Sequence, residues 1–204
     1  MNLFRNISWH KTALVIPAML LSGVLYCQHS PAPQVSIQTS MGEIVVELYP
    51  EKAPVTARNF LKHVEKGSYT NSLFYRVVRM DNQPHNKVKI EVIQGGLFKD
   101  DILDTIAPII HENTELTGIL HGDGVISMAR MEPGTASTEF FICIGEQSSL
   151  DFGGARNPDG QGFAAFGKVI RGMEVVRAIQ AEPDDGQYLI ENVSILHMKV
   201  IPSQ

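Results

Sequence analysis

The chain has 204 residues, 44% of them hydrophobic and 19% charged, a balance that excludes global disorder and leaves room for one ordinary domain plus an appendage. The formal net charge is −5 and no basic run exceeds a dipeptide, so nucleic acid is excluded as a partner: neutralising phosphates takes clustered Lys and Arg. The two cysteines and seven histidines show neither CxxC nor HExxH spacing, and neither a metal nor any other cofactor is expected.

Residues 1–11 carry Arg5 and Lys11 and no acid, and residues 12–26 are continuously apolar or small. A basic segment followed by an apolar one of this length reads as an export signal, and it is short for a membrane span. Cys27 follows at once, then QHSPAPQ. This layout resembles a bacterial lipoprotein signal, in which Cys27 would be lipidated and tether the protein to a membrane. Tyr26 departs from that pattern, which usually has Gly, Ala or Ser before the cysteine. An uncleaved anchor and cleavage by an ordinary signal peptidase are the alternatives. The expected division is a signal or anchor over 1–27, a linker over 28–34 and a domain over 35–204. Loss of 1–27 leaves 15 basic residues against 22 acidic, a net charge of −7.

Residues 35–39 and 43–49 alternate apolar and polar about Ser40-Met41-Gly42, which predicts an opening β-hairpin. Pro54 starts and Gly67 ends a predicted helix over 54–66, with Val55, Phe60, Leu61 and Val64 on its apolar stripe. Residues 73–79 and 88–94 read as an antiparallel ribbon around the turn-forming MDNQPHN. Residues 97–121 are broken by Pro108, Asn113 and Gly118 and receive no long element. Two short apolar strands, 125–129 and 139–144, flank a loop punctuated by Pro133-Gly134. A loop over 148–160, a strand over 162–169, a helix over 173–180 facing inward through Met173, Val176 and Ile179, and a strand over 192–201 complete the chain. Many short strands with two helices argue a mainly β fold, a closed or nearly closed β-barrel capped at its ends. Cys143, inside FFIC, is expected as a buried, reduced thiol. His111-Glu112 is the only His–carboxylate neighbour pair, and adjacent strand residues point apart, so it reads as no ligand pair. No Ser has an obvious His and Asp set.

Six blocks then occur in order: FYRV (74–77), IQGG (93–96), ISMAR (126–130), TASTEFFIC (135–143), SLD (149–151) and FAAFGKV (163–169). Together they resemble the signature blocks of the cyclophilins, a family of peptidyl-prolyl cis–trans isomerases, over about residues 35–200. The resemblance implies a closed eight-stranded antiparallel barrel capped by two α-helices, acting as a monomer without a cofactor on proline-containing segments of unfolded or flexible proteins. It implies Arg76 as the catalytic residue, and Gln94 as a substrate-binding residue that helps to position both Arg76 and the substrate. Val92, Phe141, Leu150 and Phe163 fall at the proline-pocket positions, and Ala129 and Arg130 along the edge that binds the peptide backbone. Several positions depart from the pattern. Glu91 stands where an aromatic is frequent, Arg130 replaces a common Asn, Glu139 a common Gln, and Phe163 a frequent His. Ser149 replaces a Trp associated with cyclosporin binding, which implies weak cyclosporin sensitivity. Two stretches, 80–90 and 153–161, are longer than usual. Glu91 and Glu139 also motivate the alternative of a proline-peptide-binding chaperone module without turnover.

Overall fold

Strands β1 (Gln34–Thr39) and β2 (Gly42–Leu48) form the expected hairpin in the computed structural model, which describes residues 31–98 and 105–202. The expected signal, Cys27 and the first half of the linker lie outside the described residues.

Helix α1 (Pro54–Glu65) begins at a proline whose missing N–H would have been unpaired in any case. Its next amides are satisfied from far along the chain. Val55 and Thr56 donate their N–H groups to the Glu112 carboxylate at 3.2 and 2.7 Å, and the Thr56 hydroxyl adds a third bond at 2.8 Å. That capping turns the helix. Its buried face is Thr56, Ala57, Phe60, His63 and Val64, while Val55 and Leu61, expected inward, are only half-buried. The apolar count alone placed polar Thr56 outside, but Glu112 draws it in.

Strands β3 (Ser72–Val78) and β4 (Val92–Gly96) pair antiparallel. β4 starts four residues later than expected, because most of the preceding backbone is bonded to side chains, only the Glu91 carbonyl accepting from the Ile144 N–H at 2.9 Å. Gln83 donates to the Ile90 carbonyl at 2.7 Å and accepts from its N–H at 3.3 Å, and Glu91 N–H donates to Gln147 Oε1 at 3.1 Å. The unassigned 97–121 stretch holds a one-turn helix, α2 (Thr114–Thr117), capped by Asn113 Oδ1 accepting from Leu116 N–H at 3.2 Å. There follow β5 (Val125–Met128), β6 (Phe140–Cys143), a 3₁₀ turn (Ser148–Leu150), β7 (Ala164–Arg171), α3 (Met173–Gln180), β8 (Asp184–Asp185) and β9 (Tyr188–Ile201). The last strand begins four residues before its expected start.

The strands run in the order β1-β2-β7-β5-β6-β4-β3-β9, and β9 pairs back onto β1. This is a closed eight-stranded antiparallel barrel, with β8 as a short extra strand on β9. It carries three helices among the described residues rather than the two expected. Phe60 of α1 plugs the barrel interior, its ring 5.1 Å from Phe166 and 5.6 Å from Phe140. Burying each such ring contributes about 1.5–3 kcal/mol. β6 divides the apolar residues in two: Phe140 faces that core, and Phe141, one residue on, faces a second cluster with Val78, Ile90, Val92, Cys143 and Leu150. The Cys143 thiol is free and buried there, and burial pushes its pKa up.

Candidate active site

The second cluster is the floor of a groove of about 850 Å³. All eight positions singled out from the sequence line it: Arg76, Val92, Gln94, Ala129, Arg130, Phe141, Leu150 and Phe163. Phe141 and Phe163 meet edge to face, with centroids 5.3 Å apart. Ile90 and Val92 provide apolar surface on the β4 side, whereas Glu91 is not among the lining residues.

A β-bulge aims the polar wall. β3 pairs with β4 as Phe74 opposite Gly95 and Arg76 opposite Gln94, leaving Tyr75 as the extra residue. On a regular strand Tyr75 and Arg76 would point to opposite faces; the bulge brings both to the groove.

Around them runs a continuous hydrogen-bonded chain. Arg76 Nη1 donates to Gln94 Oε1 at 2.8 Å, and Nε and Nη2 donate to Gln187 Oε1 at 3.1 and 2.5 Å. Gln94 Nε2 donates to the Tyr75 hydroxyl at 2.7 Å, which donates in turn to Glu139 Oε2 at 2.7 Å. Glu139 Oε1 accepts from Leu97 N–H at 2.7 Å and Phe98 N–H at 3.3 Å. Gly96 permits this close approach, since a Cβ there would collide with the Glu139 carboxylate. Phe98 stacks on Tyr75 with centroids 4.1 Å apart.

The electrostatics follow from burial. Burial raises the Glu139 pKa, and its bonds from Tyr75, Phe98, Leu97 and Thr138 oppose the rise only in part. Burial, reinforced by the Glu139 charge, lifts the Tyr75 phenol well above its ordinary value, so it stays a donor. Burial lowers the Arg76 pKa, with Tyr188 and Tyr75 opposing. An arginine so placed remains a cation at neutral pH. Its guanidinium has five N–H groups; Gln94 and Gln187 engage three of them and leave two for another partner.

Arg130 lines the groove at its expected edge, and its side chain is fully engaged there. Its guanidinium forks onto Asp159 at 2.8 and 3.0 Å, donates to the Gly162 carbonyl at 2.9 and 2.6 Å, and lies 5.1 Å over the Phe163 ring. The side chain braces the 153–161 stretch, and only its backbone is left to meet a peptide. From that stretch Arg156 reaches Gln83 Oε1 at 3.0 Å and the Val88 carbonyl at 2.6 Å, tying the two longer segments together.

Three features escaped the sequence reading. Gln187 and Arg156 sit in loops with no periodicity to mark them. A Ser–His–Asp set also exists. His121 lies 2.7 Å from Asp151 Oδ1 through Nδ1 and 2.9 Å from the Ser127 hydroxyl through Nε2. Ser127 is 0% and His121 1% exposed, so the hydroxyl cannot reach a substrate, and the set is a brace under Phe141, on which His121 stacks. His111 and Glu112 lie outside any strand and have separate partners: His111 Nε2 is bonded to the Gln161 carbonyl, and Glu112 caps α1.

The family model for cyclophilin type peptidyl-prolyl cis-trans isomerases matches residues 34–200, the whole of this barrel and its groove. The chain belongs to the cyclophilin family. It is similar to a peptidyl-prolyl cis-trans isomerase of Acinetobacter baylyi, with 35% identity over 92% of this chain and 93% of the relative. Peptidyl-prolyl cis-trans isomerase B of Escherichia coli is 31% identical over 72% of this chain and 83% of its own. Among solved structures, a Cryptosporidium parvum cyclophilin superposes with a TM-score of 0.66 at 22% identity, covering 85% of this chain and 99% of the other. The same protein was crystallised in the presence of the dipeptide Ala-Pro, and that structure superposes with a TM-score of 0.65. These two share the fold. The family and its relatives mark this cyclophilin as a peptidyl-prolyl cis–trans isomerase.

Proposed function

We propose that this cyclophilin catalyses X-Pro isomerisation by holding the prolyl ring on the apolar floor and donating a hydrogen bond from Arg76 to the twisting amide. The observation that carries this reading is a clasped guanidinium with two spare donors lining the same groove as Val92, Phe141, Leu150 and Phe163. The planar peptide bond resists rotation by roughly 18–20 kcal/mol because its C–N bond has partial double-bond character. As the bond twists, the prolyl nitrogen turns pyramidal and recovers a lone pair. A donor aimed at that nitrogen binds the twisted form better than the planar one, and such differential binding lowers the barrier without covalent chemistry. Gln94 helps to position the donor by accepting from one of its Nη groups. Ala129 and the backbone of Arg130 hold the peptide along the groove. No step calls for a cofactor.

The substrates on this reading are exposed proline-containing segments of other proteins, bound one at a time by a monomer. The Ala-Pro used with the Cryptosporidium protein has the chemistry such a groove accepts. The basic and apolar character of residues 1–27 supports export to the cell envelope, with Cys27 as the point of lipid tethering and envelope proteins as clients. A proline-peptide isomerisation assay tests the catalytic reading: rate enhancement is expected, and tight peptide binding with no enhancement would identify a chaperone module instead. Mass spectrometry of the mature N-terminus tests the tether; a diacylated Cys27 is expected, and an unmodified terminus elsewhere would refute it.

A further inference from the structure

Gln187 occupies a backbone conformation that side chains avoid. It follows Gly186 in the β8–β9 turn with φ of +82°, in the left-handed region that favours glycine. Every polar group it owns is nevertheless used. Its N–H donates to Asp184 Oδ2 at 2.9 Å, and its carbonyl accepts from Val77 N–H, next to Arg76, at 2.8 Å. Its side-chain Nε2 donates to the Asn82 carbonyl at 3.2 Å, while Oε1 takes the Nε and Nη2 fork of Arg76. Asn82 belongs to the longer β3–β4 connection and donates to Asp184 Oδ2 at 3.0 Å; Arg79 is bonded to the other oxygen of that carboxylate.

From this geometry we infer that Gln187 is a positioning residue for Arg76, and that the β3–β4 and β8–β9 connections together form the clasp that orients the guanidinium. A single acceptor on Nη1, which is what Gln94 supplies, leaves the guanidinium plane free to turn about that bond. A second acceptor shared by Nε and Nη2 fixes the plane and directs the remaining N–H groups away from the clasp. Gln187 touches no reacting atom and acts only through Arg76. The inference rests on the proposed role of Arg76.

The test uses the full chain and four variants: Gln187→Met, which keeps the size but loses the acceptor; Gln187→Glu, which keeps an acceptor; Gln187→Gly, which relieves the backbone; and Arg76→Ala. Gln187→Met and Gln187→Gly are expected to lower kcat about tenfold with little change in KM, the scale of a misplaced catalytic group. Gln187→Glu is expected to restore most of kcat. Gln187→Gly is expected to melt no lower than wild type, separating loss of activity from loss of fold. The nitrogen-15 resonance of Arg76 Nε–H shifts in Gln187→Met and holds in Gln187→Glu. Adding Gln187→Met to Arg76→Ala is expected to cost nothing further. Full activity in Gln187→Met beside an impaired Arg76→Ala overturns this inference alone, as does an undiminished effect of Gln187→Met in the Arg76→Ala background. Full activity in Arg76→Ala overturns the reading of Arg76, and the inference with it.

Discussion

The floor of the groove is centred on paired strands, its rim made by three connections that hold one another. Val92, Phe141 and Gln94 stand on β4 and β6, whose register is set by backbone ladders and by the core on the opposite face. The rim, made of the 80–89, 151–162 and 184–188 stretches, is joined by side chains, Arg156 to Gln83 and Val88 and Gln187 to Asn82, and is braced from the β5–β6 connection by Arg130 on Asp159. Floor residues therefore carry stability and binding together, whereas rim residues set geometry. Substitutions in the two regions should separate these quantities.

The largest stability effect is expected on the floor. Phe141→Ala removes a ring that is 4% exposed and packed on Phe163 and His121, and should cost about 3–5 kcal/mol in urea unfolding while raising KM. Next comes the anchor of the rim. Asp184→Ala breaks bonds from Arg79, Asn82 and Gln187, an expected loss of about 2 kcal/mol at neutral pH. Burial would raise the Asp184 pKa, but those bonds more than offset it and hold the pKa below the usual value. Its contribution is present above the unfolded carboxylate pKa and lost as pH falls through the lower folded value, so the variant and wild type should converge in acid. A gap that widens on acidification would break the assignment.

Arg156→Ala frees the two longer segments from each other. Unfolding free energy should fall by no more than about 1 kcal/mol, with KM rising more than kcat falls, because the half-exposed guanidinium bonds only neutral acceptors. A stability loss as large as that of Phe141→Ala would erase the distinction between floor and rim. The smallest effect is at Glu139, which belongs to the polar wall between them. Its pKa is raised by burial, so the folded state keeps a proton that the unfolded chain releases, and stability falls as pH rises through that interval. Glu139→Gln should therefore gain on wild type from acid toward neutral pH in paired urea titrations. A constant difference would contradict the buried ionised carboxylate.

The floor was far more legible in the sequence than the rim. Alternation and the ordered blocks located the strands within a few residues, and the eight named positions meet in one groove. What the sequence did not show is long-range and polar. The bulge at Tyr75 breaks the alternation rule at the point where the wall is aimed. Glu112 reorients α1 from 56 residues away, and Asp151 braces His121 from 30 away. Gln187 has no periodic signal at all, and its turn Asp184-Asp185-Gly186 reads as ordinary loop chemistry. Arg130 does line the expected edge, but the engagement of its side chain by Asp159 of the longer stretch and by Gly162 just after it left no mark in the sequence.

The proposed role of Arg76, to drive turnover from a preformed groove, stands or falls on isomerisation kcat/KM and proline-peptide Kd measured for wild type beside Arg76→Ala. The loss of a single aimed donor predicts a fall of about 10²–10³-fold in kcat/KM, with a Kd close to that of wild type because Phe141, Val92 and Leu150 remain in place. Undiminished kcat/KM, or a loss wholly matched by weaker binding, would contradict it.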